Sequence, residues 1–174
     1  EENSEVGAVF TEGVEIDAEG YRIGLLNIPR ELKKDSNTYE FKEIFRSLMR
    51  NSNFLISPSC MVRTFIYKNE MKSWRGDKFH ASMDLDMWLR ILKKHSIAIL
   101  PFHLIEYRIS DSQLTSDVRK SVNKSHFFTV IDYYANLESV KSVIDTDDLS
   151  YYKKLKLRDL IVVVSNRILS ANKK

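Results

Sequence analysis

The sequence predicts a mixed α/β body followed by a helical C-terminal segment, and three observations support this prediction. Before residue 112, short apolar runs have the length and the flanking turn residues of buried strands. Residues 84–95 carry apolar side chains at the spacing of one helix face. After residue 112 the strand-like runs stop and long helical patterns follow. We therefore expect two regions, residues 1–112 and residues 113–174.

The composition is typical of a folded globular chain without a membrane-spanning helix. Of the 174 residues, 43% are hydrophobic and 29% are charged. The net charge of +3 is spread along the chain, whereas nucleic-acid binding needs clustered basic residues, so we expect no nucleic-acid partner. The single cysteine, Cys60, allows no internal disulfide and fits a reducing compartment. No apolar run approaches the length of a transmembrane helix.

The first predicted elements are strands. Residues 6–11 form an apolar run, which predicts a buried strand. Residues 14–17 and 21–26 follow with a turn between them, so we expect a β-hairpin in which Gly20 supplies a permissive backbone conformation. Residues 29–37 are polar and are expected to form a loop.

Two helices are predicted in the body, over residues 39–50 and 84–95. The second is the clearer one, because four apolar residues spaced three and four apart make one stripe: Leu85, Trp88, Leu89 and Leu92. Basic residues close this helix, where they complement the negative end of its dipole. The apolar residues 60–67 leave the type of element open, and the polar residues 74–82 predict a loop.

The chain then returns to the sheet before it becomes helical. Residues 97–100 predict a short strand that Pro101 ends, and residues 102–109 predict a second strand. Beyond them, residues 115–140 and 148–171 have helical patterns. The last helix carries its apolar residues on one face: Leu157, Leu160, Ile161, Val164 and Ile168.

Two carboxylates at the start of the 84–95 helix are candidate functional groups. Asp84 and Asp86 flank the apolar stripe, so packing can hold either of them still beside a cleft. The same residues have a purely structural interpretation, because Asp in a first helical turn offsets the positive end of the helix dipole. The helix alone does not decide between these interpretations.

The order of the segments between residues 53 and 116 favours the functional interpretation of these carboxylates. A serine-containing segment ends in an arginine at residue 63, and an Asp-Leu-Asp-Met-Trp-Leu-Arg helix follows at residues 84–90. A strand then leads into Tyr107-Arg108 and a Ser/Thr-rich turn. This order resembles the acceptor-side, C-terminal half of family-2 glycosyltransferases with the GT-A fold. The resemblance covers about residues 5–116, and its most specific part is residues 84–90.

The resemblance implies a partial GT-A-like mixed sheet with flanking helices and a sugar-transfer activity. Such enzymes move a sugar from a nucleotide-sugar to a glycan or lipid-linked acceptor, commonly in the assembly of cell-surface polysaccharides. The general base of the family falls on Asp84. Its carboxylate would take the proton of the acceptor hydroxyl as that oxygen attacks the anomeric carbon, with inversion of configuration. Hydrogen-bond reach matters more for this role than a raised pKa.

The substrate-binding candidates are Ser57, Ser59, Asp86, Trp88 and Arg108. The resemblance places the two serines near the acceptor, and each can equally close a turn through hydrogen bonds to the backbone. Asp86 matches a position that holds the helix and its loop in place, and Trp88 either packs in the core or lies beside the acceptor. Arg108 is suited to bind a diphosphate through two N–H groups, or it pairs with an acid on its own strand.

Two positions depart from the family pattern. Met83 stands where the family has the glutamate of a Glu-Asp pair, and Ser110 replaces a histidine that helps some members hold metal and diphosphate. A hydroxyl is a weaker transition-metal ligand than imidazole, and the four histidines lack metal-ligand spacing. We therefore expect no metal site in this chain. The Mg²⁺ or Mn²⁺ of a complete enzyme would be held by a nucleotide-binding half.

The chain begins without a methionine and opens on a strand, so we expect it to be the later part of a longer protein. On its own it would then be inactive, because the resemblance places the family's Asp-x-Asp metal motif and its nucleotide-binding βαβ unit in a preceding half. The alternative function is a non-catalytic binding module derived from a degenerate transferase, in which Met83 and Ser110 record lost activity.

The last helix bears on where such a protein would act. Its basic polar side has two interpretations: peripheral contact with an anionic membrane surface, or packing of the apolar face on the same domain with solvated cations. The expected location is the cytoplasm, at the inner face of the membrane under the first interpretation.

Overall fold

The computed structural model describes residues 3–33, 36–110 and 125–171, which form a curled mixed sheet with flanking helices. The predicted α/β class is thereby confirmed. The strands are β1 (Val6–Ile16), β2 (Arg22–Leu26), β3 (Thr38–Tyr39), β4 (Met61–Val62) and β5 (Ser96–Arg108). The helices are α1 (Phe41–Asn51), α2 (Thr64–Asn69), α3 (Gly76–Phe79), α4 (Met83–Leu92), α5 (His126–Ala135), α6 (Glu138–Lys141) and α7 (Thr146–Ala171).

Strand β1 organises the sheet, because four of the five strands form the order β2-β1-β5-β3 and β4 also pairs with β1. β2 and β4 are antiparallel to β1, β5 is parallel to it, and β3 is antiparallel to β5. The parallel pairing runs from Val6 opposite Ser96 to Ile16 opposite Arg108. The carboxyl ends of β1 and β5 therefore lie at the same edge of the sheet.

The predicted hairpin is present, with one difference in its first arm. The two expected strands over residues 6–11 and 14–17 are one continuous strand, β1, which pairs with β2 after the turn. Gly20 in that turn has a φ of 95°, a conformation that glycine adopts without steric cost.

The prediction that Pro101 ends a strand was wrong. β5 continues through Pro101, and the register explains how: Thr11 pairs with Leu100, but the next residue, Glu12, pairs with His103. Pro101 and Phe102 thus form a bulge without partners on β1. Because a bulge residue makes no ladder hydrogen bond, the missing N–H of proline costs nothing there.

Three other expectations change in detail. The predicted loop over residues 74–82 contains α3 and a 3₁₀ turn at His80–Ser82, and the open segment 60–67 holds β4 and the start of α2. Of the predicted helix 115–140, residues 115–124 lie outside the described residues. The remainder is two helices, because Leu137 takes an extended conformation between α5 and α6.

One hydrophobic core joins the sheet body to the C-terminal helices. On the body side, Phe10 of β1 packs edge-on against Trp88 of α4, with ring centroids 5.4 Å apart. On the helical side, the buried Tyr134 of α5 lies 6.4 Å from the ring of Phe45 in α1. Each large apolar side chain buried in this way contributes roughly 1.5–3 kcal/mol to stability.

A buried carboxylate fastens α7 to α1. Asp148 is fully buried and accepts hydrogen bonds from Arg46 Nε at 2.7 Å and Arg50 Nε at 2.5 Å. It also accepts the backbone N–H of Asp145 at 3.1 Å. Burial alone would raise the pKa of Asp148, but that N–H and the two guanidinium groups outweigh it and hold the pKa below its ordinary value of 3.8.

We predict that Asp148→Asn lowers the free energy of unfolding by about 2–3 kcal/mol near pH 7. The loss stays below that of a fully buried pair because both arginines reach solvent. Since the folded-state pKa is depressed, the stabilisation is full above the unfolded pKa and is lost as the pH falls through the folded value. Urea unfolding at pH 7 and near pH 3 measures both effects.

The exposed neighbour provides a matched control, because Asp147→Asn makes the same chemical change one residue away. We expect this control to change the free energy of unfolding by less than about 0.5 kcal/mol. Equal losses in the two variants, or a loss that grows at low pH, would contradict the assignment of Asp148 as the fastening group.

Candidate functional site

A cleft of about 620 Å³ is the candidate functional site. Its walls come from the hairpin of β1 and β2, the segment of residues 52–58, the start of α4 and the start of α5. The polar side chains that line it include Glu15, Asn27, Asn53, Asp84, Tyr107 and His126.

The cleft lies at the carboxyl ends of the parallel strands. Glu15 near the end of β1 and Tyr107 near the end of β5 are register partners, and both line the cleft. In open α/β sheets, ligands commonly bind outside the carboxyl ends of the strands, where strand ends and loops leave a crevice. The position of the cleft in the fold is thus that of a ligand site.

Asp84 is held in this cleft by a short chain of hydrogen bonds. The Ser57 hydroxyl donates to Asp84 Oδ2 at 2.5 Å and accepts from the Trp88 indole N–H at 3.3 Å. The backbone N–H of Leu85 donates to Asp84 Oδ1 at 2.7 Å. Three of the predicted site residues, Ser57, Asp84 and Trp88, are therefore brought together. A carboxylate oxygen can accept two hydrogen bonds, and each oxygen of Asp84 has one of those given above. Because Asp84 is only half-buried, it can accept further hydrogen bonds from a ligand.

A second carboxylate in the cleft, Glu15, was not among the predicted site residues. Its side chain lies across Gly24 on the neighbouring strand, where a Cβ would come within 2.5 Å of Glu15 Oε2. The alternation of residues 14–17 marks Glu15 as opposite in direction to the apolar Val14 and Ile16. That pattern predicts which face of the strand carries Glu15, but it does not predict that this face lines the cleft.

His126, the first residue of α5, lines the cleft from the C-terminal helices. Its ring lies 4.9 Å from that of His80, which precedes α4. The sequence offered no indication of this contact, because residue 126 falls in the segment that we expected to be separate from the site. The helical segment thus supplies part of the cleft wall.

Asp86 does not line the cleft, although it was a substrate-binding candidate. Its side chain is completely buried and accepts from both Nε and Nη2 of Arg75, the former at 2.8 Å. The Tyr134 hydroxyl donates to Asp86 Oδ1 at 2.9 Å, and Arg90 Nε lies 3.2 Å from Asp86 Oδ2. These partners bind Asp86 to the α3 segment and to α5, in the holding role that the resemblance had implied for this position.

The pKa values of two partners of Asp86 are raised, so both of them keep their protons. Burial first, and the negative charge of Asp86 second, raise the pKa of Tyr134, so its hydroxyl stays a neutral hydrogen-bond donor. The hydrogen bond to Asp86 raises the pKa of Arg75. The Arg75 guanidinium also lies over the rings of Phe79 and Tyr133, 5.1 and 5.4 Å from their centroids.

Ser59, Trp88 and Arg108 also lie outside the cleft lining. Trp88 is buried in the core, with its indole N–H on the Ser57 hydroxyl. The buried Ser59 hydroxyl accepts from the backbone N–H of Thr11 at 3.1 Å and donates to Ile56 O at 2.8 Å, so it joins a 3₁₀ turn at Ser57–Ser59 to β1. Arg108 Nη1 donates to the carbonyl oxygens of Asp17 and Ala18, both at 2.8 Å. It therefore holds the hairpin turn.

The described residues contain no group of three or more His, Cys, Asp or Glu side chains placed to hold a metal ion. Beside Asp84, Met83 offers a half-exposed thioether, a soft group that does not suit Mg²⁺. Burial raises the pKa of the Cys60 thiol to about 12, so it carries a proton rather than the charge that metal binding requires. Within the same residues, no helix is long and apolar enough to cross a bilayer.

Chemically, the cleft suits a ligand rich in hydroxyl groups. Asp84 and Glu15 are strong hydrogen-bond acceptors, and Asn27 and Asn53 both donate and accept. The aromatic ring of Phe54 adds an apolar wall beside these polar groups. A few placed polar groups with an apolar wall are the usual composition of a small-molecule site.

Comparison of the chain with protein families, with curated proteins and with solved structures gives no match. The proposal for function therefore depends on the sequence resemblance together with the geometry of the cleft.

The two carboxylates of α4 should respond differently to the same substitution. We predict that Asp86→Asn lowers the free energy of unfolding by about 3 kcal/mol, because it leaves the charge of Arg75 without its buried partner. Asp84→Asn should cost less than about 1 kcal/mol, since Asp84 is half-buried and faces the cleft. Urea unfolding of both variants measures the difference, and similar losses would mean that Asp84 is also a structural group.

Proposed function

We propose that the chain is the acceptor-side part of a family-2 glycosyltransferase of the GT-A type. The complete protein would transfer a sugar from a nucleotide-sugar to a hydroxyl of a glycan or lipid-linked acceptor, with inversion at the anomeric carbon. The observation that carries the proposal is the position of Asp84. The residue that the family resemblance marks as the general base lines this cleft, oriented by Ser57 and half-buried.

In this proposal Asp84 takes the proton from the acceptor hydroxyl. The oxygen of that hydroxyl forms a bond to the anomeric carbon as the bond to the diphosphate leaving group breaks on the opposite face. A carboxylate needs to lie within about 2.6–3.2 Å of the hydroxyl for this transfer. The hydrogen bonds from Ser57 and from the Leu85 N–H fix the orientation of the carboxylate. This lowers the entropic cost of reaching the geometry for proton transfer.

The other cleft residues support an acceptor-binding role. Glu15 faces the same cleft as Asp84, and Asn27 and Asn53 add amide groups that hydrogen-bond to sugar hydroxyls. Trp88 acts through Ser57 rather than on the ligand, since its indole N–H is used on that hydroxyl. We place Ser57 and Trp88 as positioning residues and Asp84 as the catalytic one.

The donor nucleotide and its divalent metal are not assigned to the residues of this cleft. The cleft offers the carboxylates of Glu15 and Asp84, but the described residues contain no group of three or more His, Cys, Asp or Glu side chains placed to hold a metal ion, so we assign no metal to this cleft. In the proposed complete enzyme, a nucleotide-binding half would hold Mg²⁺ or Mn²⁺, which would neutralise charge on the leaving diphosphate.

The test is nucleotide release by the full-length protein from a panel of nucleotide-sugars, in the presence of an acceptor extract and Mg²⁺ or Mn²⁺. We expect Asp84→Asn to lower the rate at least about a hundredfold, the size of a lost general base. Ser57→Ala should lower it about tenfold, because the base remains but loses its orienting hydrogen bond. The matched control is Asp77→Asn, an exposed aspartate on α3, which should keep the wild-type rate.

Two results would overturn the proposal in different ways. Release that survives Asp84→Asn would leave Asp84 as a helix-start carboxylate and remove the catalytic assignment. No release from any nucleotide-sugar by the wild-type protein would favour the alternative, a non-catalytic binding module in which Met83 and Ser110 record lost activity.

A further inference from the structure

The outer face of α7 is apolar, and no part of the described body covers it. Five residues fall within about 100° of helix circumference, and each is between 44% and 57% exposed: Leu157, Leu160, Ile161, Val164 and Ile168. We call this set the α7 stripe. The sequence had identified these residues as one face but left open whether the face packs on its own domain. The structure directs it away from the body.

The opposite side of the same helix makes the contacts with the body. Tyr152 and Val163 are buried there, and the Tyr152 hydroxyl donates to Asp132 Oδ1 of α5 at 2.9 Å. Lys156 Nζ donates to the same carboxylate at 2.7 Å. The helix is thus fixed by its inner side, so turning the stripe inward would break these contacts.

The charges beside the α7 stripe have one sign. Lys153, Lys154 and Arg158 are exposed next to it. The single acid between residues 149 and 168 is Asp159, which lies on the inner side and accepts the backbone N–H of Ser125 at 3.4 Å. An apolar strip bordered by cations is complementary to a surface that is apolar at depth and anionic at its border. A bilayer with anionic headgroups has that profile.

A second copy of the chain fits this face less well. Two stripes packed together would bring the lysines and arginine of both copies to one interface, with no acid on the outer face to offset them. Like charges held close in this way oppose association. The charge pattern therefore favours an anionic lipid surface over self-association.

The geometry indicates a helix that lies along a membrane surface. From Leu157 to Ile168 the stripe is about 17 Å long at 1.5 Å per residue, well short of the roughly 30 Å of a bilayer core. No helix among the described residues meets the length and hydropathy of a span. We propose that the α7 stripe docks the protein on an anionic bilayer surface, with its apolar side chains in the headgroup–acyl boundary and Lys153, Lys154 and Arg158 at the phosphates.

The test is flotation of the 174-residue chain with vesicles of phosphatidylcholine, alone or with roughly a third phosphatidylglycerol, near physiological ionic strength. We expect binding to the anionic vesicles, weaker binding at about 1 M salt, and little binding to neutral ones. Leu157→Glu/Ile161→Glu should lower the partition coefficient at least tenfold, because it places charges in the stripe. Lys153→Gln/Lys154→Gln/Arg158→Gln should also lower it at least tenfold on anionic vesicles.

The matched control is Leu104→Glu, which makes the same change at a side chain of similar exposure on β5. This control should stay within about twofold of wild type, and circular dichroism should show that all variants fold. Asp84→Asn should also stay within twofold, since docking does not depend on the proposed chemistry. Absence of binding to anionic vesicles, equal binding to neutral ones, or full binding by the stripe variant would overturn the proposal. If the wild-type chain forms a dimer and does not bind vesicles, and if Leu157→Glu/Ile161→Glu dissociates that dimer, the α7 stripe would be assigned to contact with a second copy.

Discussion

The buried charge of Asp86 is the constraint on which the candidate site depends. A carboxylate with no exposure is costly to bury unless hydrogen bonds and opposite charge compensate it. Arg75, Tyr134 and Arg90 supply that compensation, and they come from three different segments of the chain. By satisfying one buried group, the fold fixes the start of α4 against the α3 segment and against α5.

The cleft follows from that arrangement. Asp84 lies two residues before Asp86 on α4, so the helix start that Asp86 anchors also sets the direction of the Asp84 carboxylate. Tyr134 lies on α5, whose first residue, His126, also lines the cleft. One aspartate therefore has a structural role and its neighbour a ligand-facing one. Their difference comes from which side of the helix each occupies, since both are the same residue type in the same turn.

The sequence predicted those parts of the fold that depend on local pattern. The α4 helix and the hairpin around Gly20 needed only periodicity and turn residues. The sequence-based prediction failed where pairing between distant segments decides the structure. Pro101 stays inside β5 because it lies in a bulge of β5 that has no partners on β1. Within the site, the grouping of Asp84 with Ser57 came from the resemblance, whereas Glu15 and His126 were missed. Periodicity shows which residues share one face of an element, but not what that face contacts. For the same reason, the sequence identified the residues of the α7 stripe but not their exposure.

The central claim is that the cleft around Asp84 binds the acceptor glycan. Backbone ¹H–¹⁵N NMR of the 174-residue chain, titrated with short hexose and N-acetylhexosamine oligosaccharides, tests it most directly because binding needs no nucleotide-sugar. The account predicts saturable shifts at Glu15, Asn27, Asn53 and Asp84, which lie apart in sequence but share the cleft. Saturable shifts confined to another surface, or no shifts with any of these glycans, would contradict it.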